Sequence, residues 1–395
     1  MLAWLAPLVV FGLVVFVHEL GHFIAAKMVG VYAPRFSVGF GPALLRRRFG
    51  ETEYVLAALP LGGYVRMASR EDEATAFLEG GSESSVLATT APSDGTTPAA
   101  PQRPEGWDPE ALVPFGPHPV PEHRWFESKS LLARLLILIA GVTMNVVLAL
   151  VVSTGAYAGY GRPYLPAVVD SVLPNMPAQR AGLLKGDSIV AIAGRPVRTW
   201  MEVLDRVGAA AGTPITLDYV RAGERRSLTV MPEPLAVTDP ASGRSRRLGR
   251  IGAAPRDVIG RDPLTFPQAV AEGWTTTWHN AGAVIGVVRG LFTRDVAMSN
   301  LGGPIAIGRA SVDAARSGLE ALLYLIAFLS INIAVLNLLP IPILDGGQIL
   351  MNVLESAKGR PFSARTREYI LRAGLGAIAL LFVVVMWNDI KRLFG

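Results

Sequence analysis

Two histidines and a glutamate stand close together near the start of the chain, in the stretch FVHELGHFIAA. His18 and His22 are four residues apart, so on a helix both imidazoles lie on one face and can converge on a single ion. Glu19 follows the first histidine, where a carboxylate can take a proton from a water molecule. Two imidazoles leave room for a third protein ligand and a water, which is the open coordination of a catalytic zinc site. The spacing therefore predicts a zinc centre for hydrolysis.

The alternative for this motif is a set of solvated side chains on the surface of a soluble helix. The surrounding segment is apolar enough to cross a bilayer, which takes about 20 residues. Ionisable groups at that depth are costly and are rarely retained without a partner. The apolar setting therefore favours the metal site.

The overall composition is that of a polytopic membrane protein. Of 395 residues, 51% are hydrophobic and only 17% are charged. No cysteine is present, so disulfides and thiolate ligands are excluded, and a net charge of +5 is too small and too dispersed to predict nucleic acid as a partner. Four segments are long and apolar enough to span a bilayer. They run roughly over Leu2–Ala26, Leu131–Ala158, Leu319–Leu339 and Ile370–Trp387.

Arginine-rich connectors predict the orientation, because short cytoplasmic loops carry an excess of positive charge. The connectors after the first and third spans are basic, which places both in the cytoplasm and the N-terminus, the central segment and the C-terminus outside. Lys391 and Arg392 in the tail weigh against this orientation without reversing it. The basic connector residues are Arg35, Arg46, Arg47, Arg48, Arg66, Arg70, Lys358, Arg360, Arg365 and Arg367.

The connector after the first span contains two different regions. Residues 31–70 show short β-prone runs with glycines and a hairpin turn at FGET, which predicts a small sheet close to the membrane; an ordinary cytosolic hairpin is the alternative. Residues 71–130 are dominated at first by Ser, Thr, Pro and Gly and predict a disordered cytoplasmic insertion. Its histidines, His118 and His123, are expected to be surface side chains.

The external segment has the pattern of a small α+β domain followed by a helix. Short strands, a helix at PAQRAGL and a strand pair around IAGRPV describe a compact domain over residues 161–258 that resembles a PDZ domain. PDZ domains commonly bind peptides by adding a strand to a sheet edge. Within residues 262–318, the stretch FPQAVAEGWTTTWHNAGAVIGVVRGLF is helical in period but too short in its apolar core for a span, which favours an interfacial helix with His279 on its polar face.

The third metal ligand has to come from elsewhere in the membrane. The third apolar segment ends in INIAVLNLLPIPILDGGQIL, in which Asp345 follows Pro340 and Pro342 and precedes two glycines. Prolines interrupt a helix, and broken backbone at membrane depth is tolerated where it lines a cavity. A plain helix-to-loop junction explains the prolines and glycines but leaves Asp345 without a role.

HELGH in the first span, together with N-x-x-P-x-P-x-L-D-G-G at the end of a later one, resembles the site-2 protease family of intramembrane zinc metalloproteases, and most closely its bacterial RseP group. The similarity extends through SVGFGP, GGYVRM, the PDZ-like domain and NLGGPIAI. It implies that His18, His22 and Asp345 are zinc ligands, that Glu19 is the general base, and that Asn337 contacts substrate or stabilises the tetrahedral intermediate. The region from Gly39 to Gly63 would receive extended substrate.

Two features depart from the family pattern. The second-span motif usually written A-G-P-x-x-N-F is AGVTMNV here, with Val142 and Val146 in place of Pro and Phe while Asn145 is retained. This change bears on packing more than on chemistry. The central segment has room for one PDZ-like domain, whereas members of the group can carry two.

The resemblance implies a zinc-dependent endopeptidase of the bacterial inner membrane, with its PDZ-like domain in the periplasm and its active site towards the cytoplasm. Its substrates would be single-span membrane proteins, such as anti-sigma factors already trimmed outside the membrane, or remnant signal peptides. A non-proteolytic PDZ-containing adaptor and a metal transporter are the alternatives; the complete ligand set beside Glu19 argues against the first, and a single metal site fits the second poorly.

The predicted fold is a polytopic α-helical membrane protein with about four transmembrane helices, a membrane-associated sheet and one external domain. Its regions are 1–30, the first transmembrane helix with HExxH; 31–70, the β region; 71–130, the insertion; 131–160, the second transmembrane helix; 161–258, the PDZ-like domain; 262–318, the interfacial helix and connector; 319–350, the third transmembrane helix with the LDG motif; and 351–395, the fourth transmembrane helix and tail.

Overall fold

The computed structural model describes residues 3–69, 108, 110–116, 118–238, 245–298 and 301–394. Most of the predicted insertion over 71–130 lies outside these residues. The chain divides into two compact units, one formed by residues 1–153, 276–281 and 301–395 and the other by residues 154–275 and 282–300.

The helices, in chain order, are α1 Ala6–Met28, α2 Leu131–Tyr160, α3 Pro177–Arg180, α4 Trp200–Ala209, α5 Phe266–Thr293, α6 Pro304–Ser317, α7 Leu319–Asn337, α8 Asp345–Lys358 and α9 Ala364–Phe394. The strands are β1 Arg35–Phe49, β2 Thr52–Arg66, β3 Arg162–Tyr164, β4 Val169–Val172, β5 Ser188–Ile192, β6 Arg195–Pro196, β7 Ile215–Arg221, β8 Glu224–Val230, β9 Glu233–Thr238, β10 Ser245–Arg250, β11 Ala253–Pro255 and β12 Gly260–Asp262.

Four helices of the described chain are long and apolar enough to cross a membrane, which confirms the predicted number. They cover Ala3–Met28, Leu131–Tyr160, Leu319–Asn337 and Arg365–Arg392. The central helix α5 is 28 residues long and does not belong to this set.

The first unit packs α1 against neighbouring helices through small and β-branched side chains. Val10 and Val14 of α1 are fully buried in a cluster with Ile326 and Leu329 of α7. Gly21 of α1 meets α2 so closely that a Cβ there would overlap the backbone of Ala140. Small residues let helix backbones approach in this way, which is how helices associate without a hydrophobic driving force in lipid.

The hairpin predicted at FGET is present between β1 and β2, with Gly50 in its turn at a φ of 61°. Both strands bend, so that the first part of β1, residues 35–38, pairs on one side with residues 53–56 and on the other with residues 63–66. The last part of β1, residues 45–49, pairs with residues 52–56. The two long strands therefore form a small sheet in which residues 63–66 lie along one margin.

The third apolar helix is interrupted as its prolines predict. Helix α7 ends at Asn337, and a separate helix, α8, begins at Asp345 and continues to Lys358. The turn between them is tight, because a Cβ on Gly346 would overlap the carbonyl of Leu338 and one on Gly347 would overlap that of Ile341. Asp345 is thus the first residue of a helix and does not lie at the end of the spanning segment.

The second unit is a small α+β body. Its main sheet has the strand order β6-β5-β7-β8, and α4 begins with a capping box in which Thr199 and Glu202 exchange hydrogen bonds. The predicted helix at PAQRAGL is α3, and the predicted strand pair at IAGRPV is β5 with β6. Its core is formed by buried apolar side chains that include Leu183, Ile189, Ile192, Trp200, Val203 and Leu217.

Candidate metal centre

The structure brings together the three predicted metal ligands, although Asp345 is more than three hundred positions from the histidines. The Nε2 atom of His18 lies 3.2 Å from His22 Nε2 and 3.2 Å from Asp345 Oδ2. His22 Nε2 lies 3.5 Å from Asp345 Oδ1. Both histidines are buried, and among the described residues this is the one His, Cys, Asp and Glu group with a metal-binding spacing.

The geometry of the three side chains suits a tetrahedral ion. Bonds of about 2.0–2.1 Å to zinc separate neighbouring ligand atoms by about 3.4 Å, close to the 3.2–3.5 Å between these three groups. The donor set agrees, because Asp345 Oδ2 is a buried oxygen that, apart from its approach to His18 Nε2, has no hydrogen-bond partner in the described part of the chain. Two unprotonated ring nitrogens and a carboxylate all present lone pairs, so when they converge in this way a cation between them is favourable.

Helix α2 contacts the His22 ring at the nitrogen that does not face the cluster. The backbone carbonyl of Ile137 lies 2.8 Å from His22 Nδ1, which places the ring proton on Nδ1 and leaves Nε2 free to act as a ligand. One turn further along α2, Gly141 faces the same ring, and a Cβ there would overlap His22 Nε2. The imidazole therefore occupies space that a side chain at position 141 would fill.

Glu19 lies on α1 between its two histidines and faces the β1–β2 sheet. A Cβ on Gly63 would come within 3.2 Å of Glu19 Cγ, and the backbone of Val65 donates a hydrogen bond to the Glu19 carboxylate. The margin of the sheet formed by residues 63–66 therefore runs directly past the predicted base.

Asn337, the last residue of α7, directs its side-chain amide at the same cluster. Its Nδ2 atom lies 3.1 Å from His18 Nε2, next to the ligand atoms. An amide at this place can donate a hydrogen bond to an oxygen that is bound or formed beside the metal position.

The remaining histidines lie away from the cluster, as predicted. His118, His123 and His279 are all exposed. They are not part of the metal-spaced group found among the described residues.

Sequence reasoning missed the contribution of α2. Ile137, Gly141 and Asn145 lie at intervals of four residues and so form one face of that helix, and all three approach the histidines. The i, i+4, i+8 spacing was visible in the sequence. An apolar residue, a glycine and a single asparagine inside an apolar helix did not indicate which face would meet α1.

Comparison with known proteins decides the family. The model of peptidase family M50 matches residues 6–382, almost the entire chain. The chain belongs to peptidase family M50, the site-2 proteases. This M50 protein is 33% identical to a putative zinc metalloprotease of Agrobacterium fabrum over 98% of this chain and 95% of the relative. It is 30% identical to the zinc metalloprotease RasP of Geobacillus kaustophilus over 98% of this chain and 97% of the relative.

Membership of family M50 makes the chain a metalloprotease and its cofactor zinc. It also decides against the non-proteolytic adaptor and the metal transporter. The four apolar helices and the RasP relatives identify it as a membrane protein.

Solved structures match shorter parts of this M50 protein. The PDZ domain of an SdrC-like protein from Listeria monocytogenes is 23% identical, covering 24% of this chain and 90% of that one, with a TM-score of 0.18. The PDZ domain of an SdrC-like protein from Listeria innocua is 21% identical, covering 24% of this chain and 96% of that one, with a TM-score of 0.19.

Proposed function

We propose that this protease hydrolyses peptide bonds within or beside the transmembrane segments of single-span membrane proteins. The observation that supports this most directly is the position of the cluster. His18 and His22 are buried on a helix long enough to span a bilayer, and Asp345 meets them from a helix that begins where another such helix breaks.

Each side chain has a separate role in this proposal. His18, His22 and Asp345 hold the zinc ion, which when bound supplies Lewis acidity to polarise a carbonyl and acidify a water. Glu19 accepts the proton of the attacking water and later delivers it to the leaving amine. Asn337 donates its amide hydrogen to the oxygen on which negative charge develops.

The substrate must present an extended backbone, because a helix hides its carbonyls in internal hydrogen bonds. The margin of the β1–β2 sheet over residues 63–66 passes Glu19 and takes no further strand among the described residues. A substrate strand added there would exchange its helical hydrogen bonds for sheet hydrogen bonds and bring its carbonyl towards the metal. The absence of a side chain at Gly63 allows the strand to lie close to Glu19, since a Cβ there would come within 3.2 Å of Glu19 Cγ.

The orientation and the substrate class complete the proposal. Arginine-rich connectors favour an active site on the cytoplasmic side and an external second unit. By the resemblance to the RseP group, the PDZ-like domain of the second unit excludes untrimmed substrates. The anti-sigma factor class and remnant signal peptides are the substrates proposed, in a bacterial inner membrane.

Replacing Glu19 with Gln tests the proposal. The variant keeps the metal ligands but loses the proton acceptor, so we expect zinc content to be unchanged and cleavage of a model single-span substrate to fall by about 10²–10⁴-fold. Cleavage is measured by mass spectrometry of the products in detergent or proteoliposomes. Glu368→Gln, at an exposed position of α9, is the control and is expected to cleave normally.

Full activity of Glu19→Gln would remove Glu19 from the chemistry. Products cut only outside the apolar segment of the substrate would contradict intramembrane cleavage while leaving the protease assignment intact.

A further inference from the structure

Asn145 is a polar side chain with no exposed surface at all, in the middle of an apolar helix. Its Nδ2 atom lies 3.4 Å from the Nδ1 atom of His18, at the long end of hydrogen-bond distances. Its Oδ1 atom is buried and has no hydrogen-bond partner among the residues that the structure describes. The backbone of Asn145 is held in place, because its carbonyl accepts a hydrogen bond of 2.8 Å from Ser330.

The chemistry of His18 decides which amide atom belongs next to its ring. The Nε2 atom of His18 is the one that faces His22 and Asp345, so it must carry a lone pair for the cluster to hold a cation. A neutral imidazole then carries its proton on Nδ1, which becomes a donor. An amide NH2 group cannot accept that proton, whereas the amide oxygen can.

A half-turn of the Asn145 amide satisfies this requirement. The oxygen and nitrogen of an amide are nearly the same size, so the turn leaves packing unchanged and places Oδ1 opposite His18 Nδ1. The neighbouring histidine already shows the same arrangement, since the Nδ1 atom of His22 meets the Ile137 carbonyl of the same helix.

We propose that Asn145 is a positioning residue whose side-chain oxygen accepts the Nδ1 proton of His18 and so fixes the tautomer that presents Nε2 to the metal. The proposal rests on the metal site of the proposed function. Helix α2 then sets the ring proton of both histidines, through a backbone carbonyl for His22 and through the Asn145 side chain for His18.

Three variants of the full-length protein separate an acceptor from a packing group. Asn145→Ala removes the acceptor, and we expect zinc affinity, measured by competition with a chromogenic chelator, to fall by about 10–100-fold. Asn145→Asp keeps an acceptor and discards the NH2 group, so its affinity is expected to be close to that of the wild type or tighter. Thr143→Val, at an exposed position two residues away on the same helix, is the matched control and is expected to bind zinc normally.

The outcomes are distinguishable from failure of the site itself. If Asp345→Ala and His22→Ala both keep full zinc content, the metal site of the proposed function is wrong. If they lose zinc while Asn145→Ala binds it as tightly as the wild type, only the role of Asn145 is overturned. Weaker binding by Asn145→Asp than by Asn145→Ala would show that the amide acts as a donor and would also overturn it.

A second measurement uses the wild-type protein and so does not depend on whether any variant folds. Nitrogen-15 NMR of zinc-loaded protein labelled at histidine distinguishes a protonated Nδ1 from a protonated Nε2, and the signals that change when zinc is removed identify the rings of His18 and His22. We expect His18 to carry its proton on Nδ1. A His18 signal with the proton on Nε2 contradicts the proposal.

Discussion

At the scale of single residues, the site depends as much on an absent side chain as on those that bind. Gly141 leaves the volume in which the His22 ring lies, and even one methyl group there would overlap the Nε2 atom. Because protein interiors are closely packed, the His22 ring must move if position 141 gains a Cβ.

Gly141→Ala is therefore expected to lower zinc content and proteolysis together, by about 10-fold or more, in the manner of a lost supporting contact to a ligand. Gly155→Ala on the same helix is the control, because a Cβ at position 155 meets nothing within 4 Å. Zinc is measured in the purified protein by elemental analysis. Equal zinc content in the two variants would show that the His22 ring has room to shift without losing the ion.

At the scale of elements, the β1–β2 sheet is attached to the end of α1 by a three-residue ionic cluster. Glu51, in the turn of the hairpin, lies 2.6 Å from Lys27 at the end of α1 and 2.8 Å from Arg124, which precedes α2. Partial burial acts to raise the pKa of Glu51, but the hydrogen bonds from Arg124 and Lys27 outweigh it and hold the pKa below its ordinary value of 4.5.

This lowered pKa predicts how the attachment depends on pH. A group whose pKa is lower in the folded state contributes stability that is present above its unfolded pKa and is lost as pH falls through the folded value. We expect the protection of β1 and β2 against hydrogen exchange, relative to the intrinsic exchange rate at each pH, to be constant at higher pH and to decrease as pH falls below about 4.5. The experiment compares wild type with Glu51→Gln, which is expected to exchange faster at neutral pH and to lose this step.

Glu224→Gln, in the exposed hairpin of the second unit, is the control for general effects of charge. A Glu51→Gln profile that coincides with that of the wild type at every pH would mean that the cluster does not hold the sheet.

At the scale of the whole molecule, the last membrane helix is tied to the start of α6. Asp389 of α9 accepts hydrogen bonds from the backbone N–H groups of Gly303, Ile305 and Ala306 at 2.9–3.1 Å. These donors have no partner within their own helix, because they belong to its first turn. A carboxylate 83–86 residues further along the chain thus completes the helix terminus.

Asp389→Ala removes all three acceptor contacts from a buried place, and we expect it to lower the free energy of unfolding by roughly 1–3 kcal/mol. Tryptophan fluorescence during heating in detergent measures this, and zinc content is expected to remain normal because the cluster is not involved. Asp313→Ala, which removes an exposed carboxylate from α6, serves as the control. Equal unfolding temperatures for the two variants would show that other groups satisfy the α6 terminus.

The parts predicted from sequence are those that local chemistry specifies. His18, Glu19 and His22 follow from helical spacing, and the break before Asp345 follows from two prolines, whereas the role of Asp345 as the third ligand follows from the resemblance to the site-2 proteases. The contributions of Gly141 and of the Ile137 carbonyl could not be predicted, since they depend on which face of α2 turns towards α1. The rotation of α2 about its axis is fixed by its close packing against Gly21 and by the hydrogen bond from Ser330 to the Asn145 carbonyl. Both contacts join residues that are far apart in the sequence, so no local sequence pattern predicts them.

Ile137, Gly141 and Asn145, which lie on one face of α2, couple metal binding to the packing of α2 against α1. A rotation of α2 by one residue, about 100°, would withdraw the ring-proton partners of both histidines in a single movement. Binding of the ion and docking of α2 on α1 are then linked equilibria, in which each stabilises the other by the same free energy. A change that separated these two helices would therefore be expected to weaken zinc binding as well.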